Sequence, residues 1–564
     1  MERRRGLGFF DKNVMDKTME MIPGNRPQRE PDENSRRAST EGTSVLVNQV
    51  GFNTTGIKRF VVQLPQGSGL WPTGFRIRTS SGRVAYTGRL FMAEGPAQWN
   101  SVYWKGDFSN FEQCGRFFVE LSLATRSGRI KTIRSYKFGV ARDLLRLETL
   151  IPAAKFFYYQ RCGFSVPGWH PQCHMDDGTL PDGTYLDCSG GWHDAGDYNK
   201  YNGYTPLAVY ALAYSYQRSL GKIEPRESKR LIDESRWGAR WLMKMLNMET
   251  GLFWGDVFSG YDYWGPPEQE TPNAADSGKG RPVRDQRRLP MAVAALAKLS
   301  SLTSKQKYLD AAEVAYKAIL EDEENTPVYR AEQLLAAYEL LRATQKPEYL
   351  EACRTFAEEL LHSQNKAGGF GPTICDQGLP VAALSMYALE RPMDEVSERI
   401  RQALERYLAY ASKLCSNIFG VTQWAEKDLF YPYENDESWY VGQNSQYLSQ
   451  AWGMLLVAKV LGGENAVRAE GIAADQMDWV LGRNPYAVCM LEGRGSFNPP
   501  RYHHRYDSVP YRNRGAVPGA ICNGIVRKSP NEDSPRFDTT GNDSHTNEPW
   551  LPHNAYYLLV VSDM

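Results

Sequence analysis

The segment GGWHDAGDYNKY, residues 190–201, places two aspartates three positions apart among glycines and aromatic residues. Asp194 and Asp197 suit acid–base chemistry, provided that a tight turn brings both carboxylates to one cavity. Two carboxylates in one cavity repel each other, and one of them can stay ionised as a base that orients a water molecule. A pair of Asx turns or a helix cap is the alternative, and it is the better explanation of an isolated D-x-x-D.

Glu548, in the segment SHTNEPWLPHNAYY, is the candidate proton donor. Hydrolysis of a sugar bond needs such a donor on the side of the leaving group, because a base alone activates only the water. The neighbouring proline and tryptophan could supply the dry surroundings that raise a carboxyl pKa. A lone glutamate near a helix start is otherwise more often a capping residue.

The segment PPRYHHRYD adds His503, His504 and Arg505. Histidine and arginine supply fixed hydrogen-bond donors that could hold sugar hydroxyls or orient a carboxylate. A basic cluster on the surface is the simpler alternative.

Three cysteines and three histidines fall between positions 162 and 193, in a chain that has only eight histidines. Cys162, Cys173, His174 and His193 form a Cys2His2 set that could bind zinc tetrahedrally. Four protein ligands leave no open position on the ion, so the zinc would be structural and would fix the loop that carries the aspartates. The spacing also allows a set with Cys188 in place of Cys162, and unlinked thiols with a satisfied histidine are a further alternative.

The bulk properties of the 564 residues exclude some partners. Lysine plus arginine and aspartate plus glutamate number 66 each, so no net charge draws the chain to nucleic acid or to an anionic membrane. No run of eighteen apolar residues and no export signal occurs, so we expect no membrane partner. The sequence does not determine the cellular compartment: the protein is secreted if a signal was removed, and otherwise it is cytoplasmic. We expect a monomer.

Two folded units follow a flexible segment over residues 1–43, which is charged and rich in proline and serine. Residues 44–140 alternate apolar and polar side chains in short runs, which predicts an antiparallel β-sandwich. Predicted strands are Lys58–Leu64, Gly74–Thr79, Val84–Leu90 and Arg116–Leu123.

Residues 141–564 change to a helical period. Twelve helical segments without intervening strands are predicted to begin near Leu144, Thr205, Lys229, Arg287, Ser304, Pro327, Pro347, Leu379, Asp394, Asn444, Ala466 and Pro552. Six helical hairpins favour a closed α/α barrel over an open solenoid. The long loops, residues 162–204, 248–286, 415–443 and 484–551, hold the candidate residues and are expected to carry function.

Seven ordered motifs resemble bacterial glycoside hydrolase family 9, the cellulases with an immunoglobulin-like module before an (α/α)6 barrel. The motifs are VLVNQVGF, GGWHDAGDYNKY, GDVFSGYDYWGPPE, FGV followed by GQNSQYLSQAW, VLGRNPYAV, PPRYHHR and NEPWLPHNA. Because they keep their order from about Val45 to the C-terminus, they are far more specific together than any one of them.

The resemblance implies a role for each matching residue. Asp197 would be the general base, Asp194 its partner on the nucleophilic water and Glu548 the general acid, with His503 and Arg505 binding the sugar near the cleaved bond. It implies hydrolysis of β-1,4-glucosidic bonds in β-glucans with inversion, for which base and acid stand roughly 6.5 to 9.5 Å apart. The zinc set also fits relatives that carry this module, and calcium is common in the family, although no loop here dictates it.

Aromatic side chains that stack on glucose rings should line the cleft. Our candidates are Trp264, Tyr261, Trp439 and Tyr440, each weighed against ordinary packing. Tyr261 replaces a usual histidine, Val441 a usual tryptophan and Trp550 a usual small residue, so the subsites beside the cut differ from the family pattern. An endo-acting glucanase is therefore our first hypothesis, an exo-acting β-glucosidase or glucosaminidase the second, and a non-catalytic carbohydrate-binding protein the third.

Overall fold

The computed structural model describes residues 42–258, 264–266, 270, 280–371, 373, 375–425, 428–431, 443–507 and 515–564. The segment predicted to be flexible, residues 1–43, lies outside the described residues except for its last two positions.

Ten strands form a β-sandwich in the N-terminal part. They are β1 Ser44–Val47, β2 Gly51–Asn53, β3 Arg59–Pro65, β4 Trp71–Thr79, β5 Val84–Gly88, β6 Leu90–Ala93, β7 Ser101–Asp107, β8 Gly115–Ala124, β9 Ile130–Arg134 and β10 Phe138–Ala141. One sheet has the order β1-β3-β7-β6, and the other has the order β2-β10-β8-β4-β5 with β9 on β8. The predicted sandwich is confirmed, but it is not wholly antiparallel, because β10 pairs with β2 in parallel.

Strand β8 departs from the predicted alternation of one buried face and one exposed face. Phe117, Val119 and Leu121 point into the sandwich core as predicted, but Phe118 and Glu120 on the other face are also buried. Glu120 is charged and buried because Arg78 and Arg134 both pair with it. Arg134, on the neighbouring β9, also covers Phe118, since its guanidinium lies 5.3 Å from the centroid of that ring.

In the part of the larger unit that the structure describes, twelve long helices occur. They are α1 Leu144–Tyr159, α2 Thr205–Ser219, α3 Pro225–Met245, α4 Pro290–Thr303, α5 Gln306–Ile319, α6 Pro327–Thr344, α7 Pro347–His362, α8 Leu379–Glu390, α9 Glu395–Leu414, α10 Gln443–Leu461, α11 Gly463–Val480 and α12 Leu551–Asp563. The even-numbered helices contact one another in sequence, and α12 returns to α2, so they close an inner ring. Each odd-numbered helix packs mainly outside the inner helix that precedes it, and α1 packs outside α12. The ring confirms the (α/α)6 barrel and excludes the open solenoid.

The burial of the helices explains why their periods differ. Helices α4, α8, α10 and α12 are buried on nearly every side, since the ring covers one face and an outer helix the other. Outer helices such as α9 keep one apolar stripe and one polar face. None of the helices in the described ranges has the length and apolarity that crossing a membrane requires.

The prediction of a barrel without intervening strands was wrong in the long loops. Strands β11 Lys200–Tyr201, β12 Phe253–Val257 and β13 Val283–Arg287 form a small sheet, and β14 Val526–Ser529 pairs with β15 Glu532–Arg536. The first sheet joins the loop before α2 to the loop before α4. Such pairing between distant loops leaves little trace in local periodicity.

Gln49, between β1 and β2, fastens the sandwich to the barrel. Its buried side-chain amide donates to the carbonyl oxygen of Ala487 at 2.5 Å. Its Oε1 atom accepts from the backbone N–H groups of Ser496 and Phe497, both at 2.9 Å. Asn48 adds a 2.9 Å bond to the carboxylate of Asp478 on α11. The two units therefore share a polar interface in which both side-chain groups of Gln49 are paired.

Replacing Gln49 with alanine should destabilise the protein by about 3 kcal/mol, because one buried and two partly buried hydrogen bonds to the backbone are lost, each worth about 1 kcal/mol. Urea denaturation followed by tryptophan fluorescence measures the change. The exposed Gln66→Ala on the same module should stay within about 0.5 kcal/mol of the parent. Equal stability of the Gln49 variant and the parent would show that this contact does not hold the units together.

Candidate active site

The long loops all enter inner helices, so they gather at the end of the barrel where those helices begin. The loop between α1 and α2 carries Asp194 and Asp197, and the loop between α11 and α12 carries His503, Arg505 and Glu548. Both groups of candidate residues therefore lie at one face of the barrel, in long loops that were predicted to carry them.

Gly196 is the point at which these two loops meet. Its backbone N–H donates to Oε1 of Glu548 at 3.1 Å, and its carbonyl oxygen accepts from the backbone N–H of Arg505 at 3.1 Å. A Cβ atom at this position would lie 2.3 Å from the carbonyl oxygen of His503. Only glycine permits this approach, so the residue between the two aspartates brings Glu548 beside them.

Asp197 lies in an Asx turn, which was one of the alternatives to a catalytic role for the D-x-x-D segment. Its carboxylate is nevertheless also buried in the site. Asn199 donates its backbone N–H to Oδ1 at 3.1 Å and its side-chain amide to Oδ2 at 2.9 Å. Tyr198 between them has a left-handed backbone with φ of 63°. The turn therefore presents N–H donors to both oxygens of one carboxylate, which stabilises its ionised form.

Asp194 has a different environment. The indole N–H of Trp550 donates to its Oδ2 atom at 2.6 Å, while its buried Oδ1 atom has no hydrogen-bond partner among the described residues. Trp550 packs edge-on against Tyr204 with ring centroids 4.9 Å apart. The family's small residue at position 550 is thus replaced by a side chain that holds one oxygen of Asp194 and leaves the other free.

The three carboxyl groups differ in how their pKa values shift. Burial and then the neighbouring Asp197 raise the pKa of Asp194 well above its usual range. Burial also raises the pKa of Asp197, but the hydrogen bonds from Asn199 oppose this rise. Burial, followed by the charges of Asp197 and Asp194, raises the pKa of Glu548 well above its usual range. Glu548 is therefore suited to keep a proton while Asp197 is ionised.

The remaining sugar-binding candidates are only partly described. His503 is half-buried, its Nδ1 atom lies 3.2 Å from the carbonyl oxygen of Gly541, and its ring packs on Trp264 with centroids 4.5 Å apart. Arg505 is buried and pairs with Glu270. Trp264 is 38% exposed, as a stacking platform needs to be. Tyr261, Trp439 and Tyr440 lie outside the described residues and stay predictions.

The structure brings Cys162, Cys173, His174 and His193 together, with one ligand atom from each lying within 4.8 Å of all the others. Sγ of Cys162 is 3.6 Å from Nδ1 of His174, Sγ of Cys173 is 3.6 Å from Nε2 of His193, and the two nitrogens are 3.3 Å apart. A tetrahedral zinc ion with its usual bond lengths requires S–N separations of about 3.6 Å and N–N separations of about 3.3 Å. The four donors therefore fit such an ion, and Cys188 is not among them.

Contacts around His193 hold the tetrad in place. Its backbone N–H donates to the carbonyl oxygen of Gln160, at the end of α1, and the Gln160 amide returns a bond to the His193 carbonyl oxygen. The imidazole stacks on Tyr198 with centroids 4.1 Å apart. Burial lowers the pKa of His193 to about 3, so the ring is neutral, as a metal ligand must be. Within the described ranges no second group of three or more such ligands occurs, so calcium stays a prediction.

Four residues of the site were missed as functional candidates. Asn199 and Gln160 are ordinary polar residues next to a motif, Trp550 was noticed only as a departure, and Glu270 had no signal at all. Asn199 could have been found from the Asx turn, since D-Y-N places an amide two residues after Asp197. Glu270 contacts residues 96 and 235 positions away, so sequence spacing could not reveal it.

Comparison with known proteins agrees with this architecture. Residues 148–561 match the model for glycosyl hydrolase family 9, and residues 40–125 match that for the cellulase N-terminal ig-like domain. A xyloglucan-specific endo-beta-1,4-glucanase of Bacteroides ovatus is 25% identical over 551 residues, which cover 86% of this chain and 87% of that protein.

Two solved structures share the fold. A metagenome-derived family 9 endoglucanase superposes with a TM-score of 0.71 at 23% identity, over 93% of this chain and 99% of its own. A zinc-binding triple mutant of a family 9 endoglucanase gives a TM-score of 0.67 at 22% identity, over 91% of this chain and 99% of its own. The resemblance carried by the seven motifs is confirmed, since the family model spans well over half of the chain: the protein belongs to glycosyl hydrolase family 9 and carries the family's N-terminal immunoglobulin-like module.

Proposed function

We propose that the protein is an endo-acting β-1,4-glucanase that hydrolyses β-glucans with inversion of the anomeric carbon. The observation that carries this proposal is the meeting of Asp197 and Glu548 at Gly196, where Asn199 donates to both oxygens of the aspartate and the neighbouring carboxylates help to raise the pKa of the glutamate. Endoglucanase activity in the Bacteroides ovatus relative supports the substrate class. All the named site residues come from one chain, so a monomer suffices.

In the proposed reaction Asp197 accepts a proton from a water molecule whose oxygen attacks the anomeric carbon. Asp194 orients that water through its free Oδ1 atom, since Oδ2 is occupied by Trp550. Glu548 donates its proton to the glycosidic oxygen as the bond to the anomeric carbon breaks. Asp197 ends protonated and Glu548 ionised, and exchange with solvent restores both.

We also propose that the tetrad of Cys162, Cys173, His174 and His193 holds a structural zinc ion. Two thiolates and two imidazoles are the donors that zinc prefers, and their separations suit a tetrahedral ion. With no open position, the ion would stabilise the loop and take no part in the chemistry. His193 would thereby fix the backbone immediately before Asp194.

Asp197→Asn and Glu548→Gln should each lower the rate of hydrolysis by about 10²- to 10⁴-fold, because each removes one proton-transfer group. Both variants should still bind cello-oligosaccharides in calorimetry. Reducing-end and viscosity assays on carboxymethylcellulose and xyloglucan measure the loss, and NMR of the first product identifies its anomer.

Asp182→Asn is the matched control, an exposed aspartate in the same loop, and it should keep parent activity. Release of monosaccharide alone, without loss of viscosity, would replace the endo proposal with an exo-acting enzyme. Binding of the oligosaccharide without hydrolysis, in the parent as well as in both variants, would support a carbohydrate-binding protein instead.

Glu548→Gln should also change how stability depends on pH. The folded-state pKa of Glu548 is raised, so the stability that its protonated form contributes is complete below the unfolded-state pKa and lost as pH rises through the folded value. Glutamine avoids this loss, and the melting temperature of the variant should therefore gain on the parent as pH increases. Thermal denaturation from about pH 4 to pH 8 tests the trend.

Glu120→Gln is the control of opposite sign. Burial raises the pKa of Glu120, but hydrogen bonds from Arg78 and Arg134 outweigh it and leave the pKa lowered. Its ionised form therefore stabilises the fold above the unfolded-state pKa, and this variant should fall below the parent as pH increases. Parallel curves for Glu548→Gln and the parent would contradict the raised pKa of Glu548.

Elemental analysis should find one zinc ion per chain. Cys173→Ser should retain less than a tenth of that zinc and melt several degrees lower, because a structural zinc site contributes directly to folding. Cys188→Ala, which removes a buried cysteine of the same loop outside the tetrad, should keep the zinc. Substoichiometric metal in the parent, with a melting temperature indifferent to chelator, would remove the zinc proposal.

A further inference from the structure

Glu270, in the loop between α3 and α4, connects the metal tetrad to the catalytic cleft. One of its oxygens, Oε2, lies 2.9 Å from Nε2 of His174 and also accepts from the Nη1 group of Arg505. The side chains of His174, Glu270 and Arg505 are only 2%, 4% and 1% exposed, so these are not surface ion pairs that solvent would weaken. Three separate loops therefore meet at a single carboxylate oxygen.

The contact with His174 fixes which ring nitrogen faces the metal. Nδ1 of His174 lies among the donors of the tetrad, 3.6 Å from Sγ of Cys162 and 3.3 Å from Nε2 of His193. A ligating nitrogen needs its lone pair, so the proton of the neutral ring resides on Nε2, where Glu270 accepts it. Metal-ligating histidines commonly donate their second N–H to a carboxylate, which orients the ring and increases its basicity.

The contact with Arg505 supplies a counter-charge inside the site. A guanidinium group stays charged in proteins, and burying it without a carboxylate is costly. The backbone N–H of Arg505 donates to the carbonyl oxygen of Gly196. The charge of its guanidinium opposes the rise that burial causes in the pKa of Asp197. The position of this guanidinium therefore bears on the proposed base as well as on the sugar, and Glu270 is a buried carboxylate that pairs with it.

We propose that Glu270 is a positioning residue that uses one oxygen to orient His174 toward the metal and Arg505 toward the substrate. The Arg505 half rests on the proposed function, whereas the His174 half rests only on the metal tetrad. Its two contacts differ in what they require. His174 needs an acceptor atom, which glutamine also offers, but Arg505 needs a negative charge, which glutamine lacks.

Glu270→Gln and Glu270→Ala separate these two requirements. Glu270→Gln should lower kcat/KM on a soluble cello-oligosaccharide about 10-fold or more, while zinc release to the chromogenic chelator 4-(2-pyridylazo)resorcinol stays within about threefold of the parent. Glu270→Ala should lower kcat/KM and also release zinc about 10- to 100-fold faster. Glu120→Gln, which removes a buried carboxylate between two arginines in the sandwich, should change neither measurement.

Each result decides one half of the proposal. If Glu270→Gln has the same kcat/KM as the parent, the role toward Arg505 is overturned. If Glu270→Ala releases zinc as slowly as the parent, the role toward His174 is overturned. If the parent hydrolyses no β-glucan, the proposed function fails, but zinc release still decides the His174 half and calorimetric binding of the oligosaccharide decides the Arg505 half. A parent without zinc overturns the His174 half directly. Glu270→Gln preserves the shape of the side chain, so it keeps the Arg505 half testable even where the alanine variant does not fold.

Discussion

The close approach of His503 to Gly196 is the constraint on which the site depends. The space that a Cβ atom would occupy at position 196 is filled by the carbonyl oxygen of His503. Because the two loops touch there, the Gly196 N–H can reach Glu548 and its carbonyl oxygen can reach Arg505. One glycine thus brings into register loops that lie more than 300 residues apart in the chain. A larger residue would separate the proposed acid from the proposed base before it affected either carboxylate.

The same closeness has an electrostatic cost that the fold offsets only in part. Asp194, Asp197 and Glu548 all have raised pKa values, so each would be more stable in its charged form if it were exposed to water. Asn199 supplies two donors to Asp197 and Trp550 supplies one to Asp194, while Glu548 receives the backbone N–H groups of Gly196 and Asp197. Asp197 differs from Glu548 in its neighbouring charges as well, because Arg505 and Arg281 lower the pKa of Asp197 whereas Asp197 and Asp194 raise that of Glu548. Such differences are expected where stability is given up for chemistry.

Much of the fold was predictable because its signals are local. The predicted helix starts at Leu144, Thr205, Pro327, Pro347 and Leu379 are the first residues of α1, α2, α6, α7 and α8, since a change of period or a proline marks each of them. The candidate site was predictable where a motif carries several functional residues within a few positions, as in residues 190–201. Glu270 and the orientation of Trp550 were not predictable, because each is defined by contacts with distant loops.

The tetrad explains how so long a loop can hold an aspartate in position. Residues 160–204 contain little regular structure, and ordering them costs conformational entropy. Buried aromatic side chains such as Trp192 and Tyr198 offset part of this cost. All nine cysteines are free, so no disulfide shortens this loop. A metal bound by four side chains of the same loop would supply the missing constraint at one end of the D-x-x-D turn, because His193 directly precedes Asp194. The bond from the Asp194 N–H to the Asn199 carbonyl oxygen closes the other end. The turn is then held at both ends, which a catalytic carboxylate needs and a capping residue does not.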